Sequence, residues 1–327
     1  MQLRNFKKYF KKKKESAFIM KKQTKLVAVL STAALLAIGA SMTSFAATGW
    51  AEEDGTWVYY NRDGERATDS WKKSGNNWYY LDSDGEMAID QLIEDGDNYY
   101  YVDINGVMAS NQWVAIENED AGEDDEPEHY WYYFQANGKA LTNGDNDKVS
   151  LKTINGKKYA FDENGAMTAE WSRDAEEYNK IATENIATDA RAAKVTQSWR
   201  WFQSAEDGAR LNKGWFKVVP AEDLDKDRYD DDEDHWYYAD GSGNLYAGEF
   251  KTINGKKYAF RNDGRMVDGL KFINDSGESL DVKDDDNDEA DFGPFDTEDD
   301  FLANAAKYEQ KGYYCYYFGN EEDGSMK

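Results

Sequence analysis

Aromatic and apolar residues alternate with polar ones in short runs that recur along the chain, and a glycine turn closes each run. The runs WVYYNRDG, WYYLDSDG and YYYVDING end at Gly64, Gly85 and Gly106, which lie 21 residues apart. A fixed period near 20 residues is typical of proteins in which each repeat is one supersecondary unit. The pattern therefore predicts a repeat array without a single large core.

Each repeat is predicted to be a β-hairpin. In the second repeat an apolar run extends from Trp78 to Leu81, and Asp84-Gly85 supplies a tight turn in which glycine adopts positive φ. Met87 is then expected to begin the return strand. Because an isolated hairpin is marginal in water, the hairpins must stack on one another. The predicted fold class is all-β, a solenoid of stacked β-hairpin repeats of about 20 residues.

Insertions separate the later repeats. Three acidic segments, 117–128, 221–234 and 274–300, are expected to be loops. Residues 172–198 are rich in Ala and Glu and lack Gly and Pro, which predicts a helical insertion. Nine turn glycines predict nine repeats: Gly64, Gly85, Gly106, Gly138, Gly165, Gly208, Gly243, Gly264 and Gly324.

One module occurs twice almost unchanged, as KTINGKKYAFDENGAM at 152–167 and KTINGKKYAFRNDGRM at 251–266. We call these two stretches the twin modules. Their similarity within one array indicates segmental duplication. The expected domain limits are repeats over 48–171, the helical insertion, and more degenerate repeats over 199–327. The last repeat is expected to be truncated, because Lys327 falls where a repeat would continue.

The N-terminal residues 1–46 are predicted to be a secretory signal peptide. A basic stretch from Met20, which is an alternative start, precedes the apolar run from Leu26 to Ala40, and Ser44-Phe45-Ala46 provides small residues for cleavage. The apolar run is shorter than the roughly 20 residues that span a bilayer. An uncleaved anchor is the alternative.

Composition excludes several functional classes. Residues 1–46 hold ten of the 39 basic and one of the 65 acidic residues, so the rest of the chain has a net charge of −35. Such a surface repels nucleic acid and anionic membranes. With one cysteine, Cys315, there is no intrachain disulfide, and two histidines leave little material for histidine-based catalysis.

The repeated aromatic positions resemble the choline-binding, or cell-wall-binding, repeats of Gram-positive surface proteins, to which glucan-binding repeats are related. The resemblance rests on GW, a short turn, an aromatic triplet, Gly and Met in register, and is strongest over 48–116. It implies ligand cages formed between consecutive units by about three aromatic rings. Such a cage attracts a quaternary ammonium ion by roughly 0.5–2 kcal/mol per ring.

Three positions in each repeat, which we call slots, are the candidate cage residues, and all eleven tryptophans lie in them. The first and second slots lie two residues apart on one strand, so they share a face, while the residues after each slot are expected to pack inside. The turn-side slot holds Trp50, Trp71, Trp113, Trp171 and Trp215, the first slot holds Trp57, Trp78, Tyr99, Trp131, Trp199 and Trp236, and the second slot holds Tyr59, Tyr80, Tyr101, Tyr133, Trp201 and Tyr238.

The twin modules keep the packing residues and lack the cage residues. Lys158 and Ala160 fill the two strand slots in the first, as Lys257 and Ala259 do in the second, which predicts spacer units. No carboxylate pair lies in an apolar setting that would tune an acid and a base, so no catalytic residue, cofactor or metal ligand is predicted. Calcium binding by the acidic segments is the less favoured alternative to solvated loops.

The predicted function is therefore non-catalytic attachment to the cell envelope of a Gram-positive bacterium. The ligand is expected to be choline on teichoic acid, or else a wall or extracellular glucan, because exposed rings suit both. The alternative is that the chain is the wall-binding part of a longer wall hydrolase or other surface enzyme. The sequence leaves the oligomeric state open.

Overall fold

The chain folds into a series of antiparallel β-hairpins. The computed structural model describes residues 48–118, 121, 127–144, 149–173, 192–283, 295 and 297–327. Eight two-stranded sheets and one three-stranded sheet follow one another along this part of the chain. The predicted all-β hairpin solenoid is confirmed.

The described residues contain nineteen strands and three helices. The hairpins are β1 (Gly49–Glu53) with β2 (Thr56–Tyr60), β3 (Ser70–Ser74) with β4 (Asn77–Leu81), β5 (Gln91–Asp95) with β6 (Asn98–Val102), β7 (Gln112–Glu117) with β8 (His129–Phe134), β9 (Lys152–Ile154) with β10 (Lys157–Tyr159), β11 (Glu170–Ser172) with β12 (Arg200–Phe202), β13 (Gly214–Val218) with β14 (His235–Ala239), and β15 (Glu249–Ile253) with β16 (Lys256–Phe260). The last sheet contains β17 (Leu270–Asp275), β18 (Leu280–Lys283) and β19 (Tyr314–Tyr317), and the helices are α1 (Ala192–Thr196), α2 (Lys226–Asp230) and α3 (Glu298–Glu309). We number the units 1 to 9 in this order.

The hairpin turn lies at a different place from the one predicted. In unit 2, Ser74 pairs with Asn77 across a two-residue turn, so the strands flank the turn before the aromatic run. The glycine turn after that run leads only to a single bridge, between Leu81 and Met87. Both turns contain glycine with positive φ, Gly75 and Gly85, and so the sequence signal for a hairpin turn occurs twice in this unit.

The nine predicted turn glycines mark nine structural units. All nine have positive φ, between 52° and 91°. In every unit the N–H three residues after the glycine donates to the carbonyl of the second slot, as Ala88 does to Tyr80 at 2.9 Å. The repetition of this bond confirms the count of nine units.

Consecutive units are joined by a second recurring bond. The residue two after the turn glycine donates its N–H to the first-slot carbonyl of the preceding unit, as Met108 does to Trp78 at 2.9 Å. Within the described residues this bond joins seven of the eight pairs of neighbouring units and is missing between units 6 and 7. A cluster of buried side chains that includes Trp199, Tyr237 and Leu245 lies at that junction instead.

Replacing Gly106 by alanine is expected to destabilise the array by about 2–4 kcal/mol, because two penalties combine. Its φ is +74°, and a Cβ there would lie 2.9 Å from Met87 Cε and 3.1 Å from the Ala88 carbonyl oxygen. Gly96→Ala is the matched control, since φ is +59° and no atom lies within 4 Å of its Cβ. Urea unfolding of the full chain should show a larger loss for Gly106→Ala. Equal losses of stability in the two variants would mean that the close approach to Met87 does not contribute to the effect.

The core is a column of side chains from the residues that come immediately after the first and second slots in the sequence. The residue immediately after the second slot is buried in units 2 to 9, and the residue after the first slot is buried in most of them. The expected packing residues Tyr79, Leu81, Tyr159, Phe161, Tyr258 and Phe260 are all buried.

Two of the insertions differ from their predicted structure. Within 274–300, predicted to be an acidic loop, strand β18 pairs with β17 and helix α3 begins at Glu298. Within 221–234, Leu224 is buried and Asp225 contacts the buried Arg265 at 3.1 Å, so this segment docks on unit 8. Apolar and ion-pairing residues among the acids explain the difference, because acidic composition alone predicts solvation.

The predicted helical insertion is described only at its ends. Helix α1 covers its last turn, while its first residue, Ser172, lies in strand β11. The remainder of 172–198 and the N-terminal residues 1–47, with the predicted signal peptide, lie outside the described residues. No helix in the described part of the chain is long and apolar enough to cross a membrane.

Candidate aromatic binding face

The turn-side and second slots meet across each hairpin. In unit 2, Trp71 pairs directly with Tyr80, while the first-slot Trp78 lies opposite Lys73. Because cross-strand partners point to the same side of a hairpin, one face of the unit carries all three slots. The same pairing joins Trp50 to Tyr59, Leu92 to Tyr101, Trp113 to Tyr133, Trp171 to Trp201, and Trp215 to Tyr238.

Each turn-side tryptophan is held between rings of two units. Its own second-slot ring meets it edge-on, in the arrangement that aromatic pairs prefer. The ring centroids lie 5.4 Å apart for Trp50–Tyr59, 5.1 Å for Trp71–Tyr80, 5.2 Å for Trp113–Tyr133 and 5.0 Å for Trp215–Tyr238. A packing tyrosine of a later unit contacts it from the other side, at 5.3 Å for Trp50–Tyr79, 5.1 Å for Trp71–Tyr100 and 4.9 Å for Trp113–Tyr159.

Most of the candidate cage residues keep part of their ring at the surface. Trp78 is the most open, with 40% of its surface exposed. Trp199 and Tyr238 are buried. Leu224 of the acidic segment and Tyr237 pack in one cluster with Trp199, so a ligand would have to displace packed side chains to reach that ring. The other fifteen remain candidates for ligand contact.

The twin modules have no open ring at their slots. Ala160 and Ala259 are buried, so the second slot is closed by packing. In the second module the ammonium of Lys257 lies 4.4 Å from the ring centroid of Phe250, the turn-side residue of the same unit. A cation of the chain itself thus covers the one aromatic ring there. Lysines also lie 5.0 Å from the ring centroid of Tyr59 and 5.8 Å from that of Trp78, so the spacer role of the two modules stays a prediction.

Comparison with known families identifies the repeats. A choline-binding repeat model matches residues 67–113, and a model described as a putative cell wall binding repeat matches residues 248–266. Residues 67–113 thus match choline-binding repeats, and residues 248–266 match the related cell wall binding repeat. The resemblance noted in the sequence is therefore confirmed, and the second match includes the whole of the second twin module, 251–266.

Several known proteins are similar to parts of this chain. Glucosyltransferase-S of Streptococcus mutans serotype c is 26% identical over 179 residues, which cover 42% of this chain and 11% of that protein. Choline binding protein F from Streptococcus pneumoniae is 25% identical, with a TM-score of 0.41, over 68% of this chain and 57% of that one. The choline binding domain of Spr1274 from the same species is 33% identical, with a TM-score of 0.22, over 29% of this chain and 95% of that one.

Carboxylates surround the rings of the choline-binding repeats. Burial and the nearby Asp69 raise the pKa of Tyr80, and burial together with Glu94 raises that of Tyr99. Burial and a hydrogen bond to Asp90 raise the pKa of Tyr101. Each phenol therefore lies in a negative field, which favours a cation at the ring face.

The sequence did not reveal which carboxylates touch the rings. The indole Nε1 of Trp71 donates to Asp95 at 3.1 Å, and that of Trp131 donates to Glu206 at 3.2 Å. The triplet EDG that contains Glu206, at 206–208, also occurs at 53–55, 94–96 and 322–324, so the sequence does not single out the second contact. No three His, Cys, Asp or Glu side chains in the described part of the chain are placed to hold a metal ion.

Proposed function

We propose that the chain attaches non-catalytically to the bacterial cell envelope by binding choline of teichoic acid at its repeated aromatic face. The observation that carries this proposal is the edge-on tryptophan–tyrosine pair, which recurs in four units with centroids 5.0 to 5.4 Å apart. Rings fixed in this way present their negative faces to a quaternary ammonium ion. The negative surroundings of Tyr80, Tyr99 and Tyr101 support a cationic ligand over a neutral sugar.

A wall or extracellular glucan is the second candidate ligand. It is favoured by the similarity to a glucosyltransferase, of which this chain spans 11%. Flat exposed rings such as Trp78 also stack on sugars. That same short span supports a second possibility for the whole protein, in which these repeats are the binding part of a longer surface enzyme. In either case the mature chain is proposed to be secreted and held at the wall.

The first test compares the two ligands. The chain without residues 1–46 is expected to be retained on a resin that bears choline and to be released by free choline, because the rings respond to the quaternary ammonium. Beads of α-glucan serve as the parallel column. Retention on glucan with no effect of choline would contradict the choline proposal and favour stacking on sugars.

A further inference from the structure

Units 4 to 6 and units 7 to 9 share one three-unit arrangement, which we call block A and block B. The twin modules are the middle units of the two blocks. In block A, Trp113 meets Tyr159 at 4.9 Å and 61°, and in block B, Trp215 meets Tyr258 at 4.8 Å and 62°. The same ring arrangement thus occurs twice, 102 and 99 residues apart along the chain for its two members.

The first and third units of a block also correspond. The Asp before the turn glycine of the third unit forms an ion pair with the same lysine of the twin module in both blocks. Lys157 Nζ lies 3.2 Å from Asp207 Oδ1, and Lys256 Nζ lies 3.0 Å from Asp323 Oδ1. The residue before each Asp is a glutamate, which reaches past the spacer towards the first unit.

In block A this glutamate meets the first-slot tryptophan. Trp131 Nε1 donates to Glu206 Oε2 at 3.2 Å, and His129 Nε2 lies 3.0 Å from the other oxygen, Oε1. The Glu206 side chain is 63% exposed, so a ligand can reach it. A quaternary ammonium has no N–H to donate, so Glu206 would attract it by charge rather than by a hydrogen bond.

In block B a lysine of the chain lies at the equivalent place. Lys217 Nζ is 2.8 Å from Glu322 Oε1, and Lys217 is the cross-strand partner of Trp236. The hydrogen bond and charge of Lys217 lower the pKa of Glu322. In block A the cross-strand partner of Trp131 is Ala115, which carries no charge.

We propose that Glu206 and the indole of Trp131 form a binding site for an organic ammonium ion, and that Lys217 fills the equivalent site in block B. The glutamate and the tryptophan come from units two apart, with the spacer twin module between them. The ammonium of Lys217, which donates to Glu322 at 2.8 Å, shows that a cation fits beside the carboxylate at this position. The inference rests on the proposed function, since choline is an ammonium ligand, and it adds Glu206 as a residue that determines specificity for charge.

The test follows the indole N–H signals of the eleven tryptophans by NMR in the chain without residues 1–46. Trp131→Phe and Trp236→Phe assign the two signals of interest. The probes are choline chloride and its neutral isostere 3,3-dimethyl-1-butanol. The Trp131 signal is expected to shift with choline and to respond much less to the neutral isostere. The Trp236 signal is expected to stay unchanged by choline until Lys217→Ala vacates its site.

Charge variants separate the carboxylate from the ring. Glu206→Gln keeps an acceptor for the indole and removes the charge, so choline binding at Trp131 is expected to weaken about two- to fivefold, the range of an exposed ion pair. Ala115→Lys should abolish the response at Trp131 by copying block B. Asp207→Asn is the matched control, because it removes one charge at the next residue and leaves the contact with Trp131 intact.

The outcomes distinguish this inference from the proposed function. If other indole signals shift with choline while that of Trp131 does not, the inference is overturned and choline binding stands. Equal choline affinities at Trp131 for wild type and Glu206→Gln would also overturn it. If no indole signal responds to choline, the proposed choline function fails together with the inference.

Discussion

Arg265→Ala is expected to destabilise the array by about 3–5 kcal/mol at neutral pH, the loss typical of breaking a buried ion pair. Arg265 Nε lies 2.9 Å from Asp263 Oδ2, and its Nη2 lies 3.1 Å from Asp225 Oδ2. The Asp263 side chain is fully buried, and those of the other two are less than a tenth exposed. Without the guanidinium, Asp263 would remain in the interior without its ion-pair partner, and Asp225 would keep only Arg228.

The size of this loss should depend on pH. Burial acts to raise the pKa of Asp263, but Arg265, together with Arg261, outweighs it and holds the pKa below its usual range. A carboxylate whose pKa is lowered by folding stabilises the fold at pH values above its unfolded-state pKa. That stabilisation is lost as the pH falls through its folded-state pKa. In Arg265→Ala burial acts without that opposing charge, so Asp263 takes up a proton more readily. The deficit should therefore shrink between pH 7 and pH 4.

Urea unfolding of the wild type and of Arg265→Ala between pH 7 and pH 4 measures the effect. Lys226→Ala is the control, because Lys226 pairs with Asp230 at the surface of the same segment and should cost less than about 1 kcal/mol. If Arg265→Ala also lost less than about 1 kcal/mol, the acidic segment would not be docked through the pair of Arg265 and Asp225.

Trp57→Ala combined with Trp78→Ala is expected to weaken binding to whole cell walls by up to about 100-fold. The physical reason is multivalency: sites on one chain that bind one polymer benefit from a high effective concentration, which is lost as sites are removed. Against soluble choline, the same variant should bind fewer ligands while the remaining sites keep their affinity. Wall pull-down and calorimetry with free choline provide the two measurements.

The control for this variant removes exposed apolar side chains that lie outside the slots. Tyr314 and Leu302 are 66% and 68% exposed, and Tyr314→Ala with Leu302→Ala should leave wall binding unchanged. Equal losses for the tryptophan variant in both assays would argue against multivalent attachment.

The repeat period and the packing column could be predicted because both depend on local pattern. Strand alternation alone predicted that Tyr79 and Leu81 lie in the interior, and both are buried. The number of units was predicted from the number of turn glycines, all of which have positive φ. The hairpin turn was misplaced for the same local reason. In units such as unit 2, two glycine turns of similar signal, Gly75 and Gly85, flank the aromatic run, and only long-range stacking decides which one joins two full strands.

Burial of a slot residue could not be predicted, because it depends on insertions that the period does not describe. Trp199 satisfies the slot pattern, yet Leu224 from the acidic segment joins the cluster that encloses it. The contact between Trp131 and Glu206 was likewise hidden, since it joins units two apart, over 75 residues. A sequence period relates equivalent positions, but it does not show which different positions meet when the units stack.

The junction between units 6 and 7 is held differently from the other seven. Seven neighbouring pairs are joined by the recurring backbone bond, whereas the described residues at this junction meet through the cluster of Trp199, Tyr237 and Leu245, a hydrogen bond from Trp171 Nε1 to the Val219 carbonyl at 2.8 Å, and an ion pair between Arg173 and Asp223 at 2.6 Å. Apolar contact weakens on cooling. Because side chains rather than the repeated main-chain bond join blocks A and B, the boundary between the two blocks is the place in the array where a single substitution can uncouple neighbouring units.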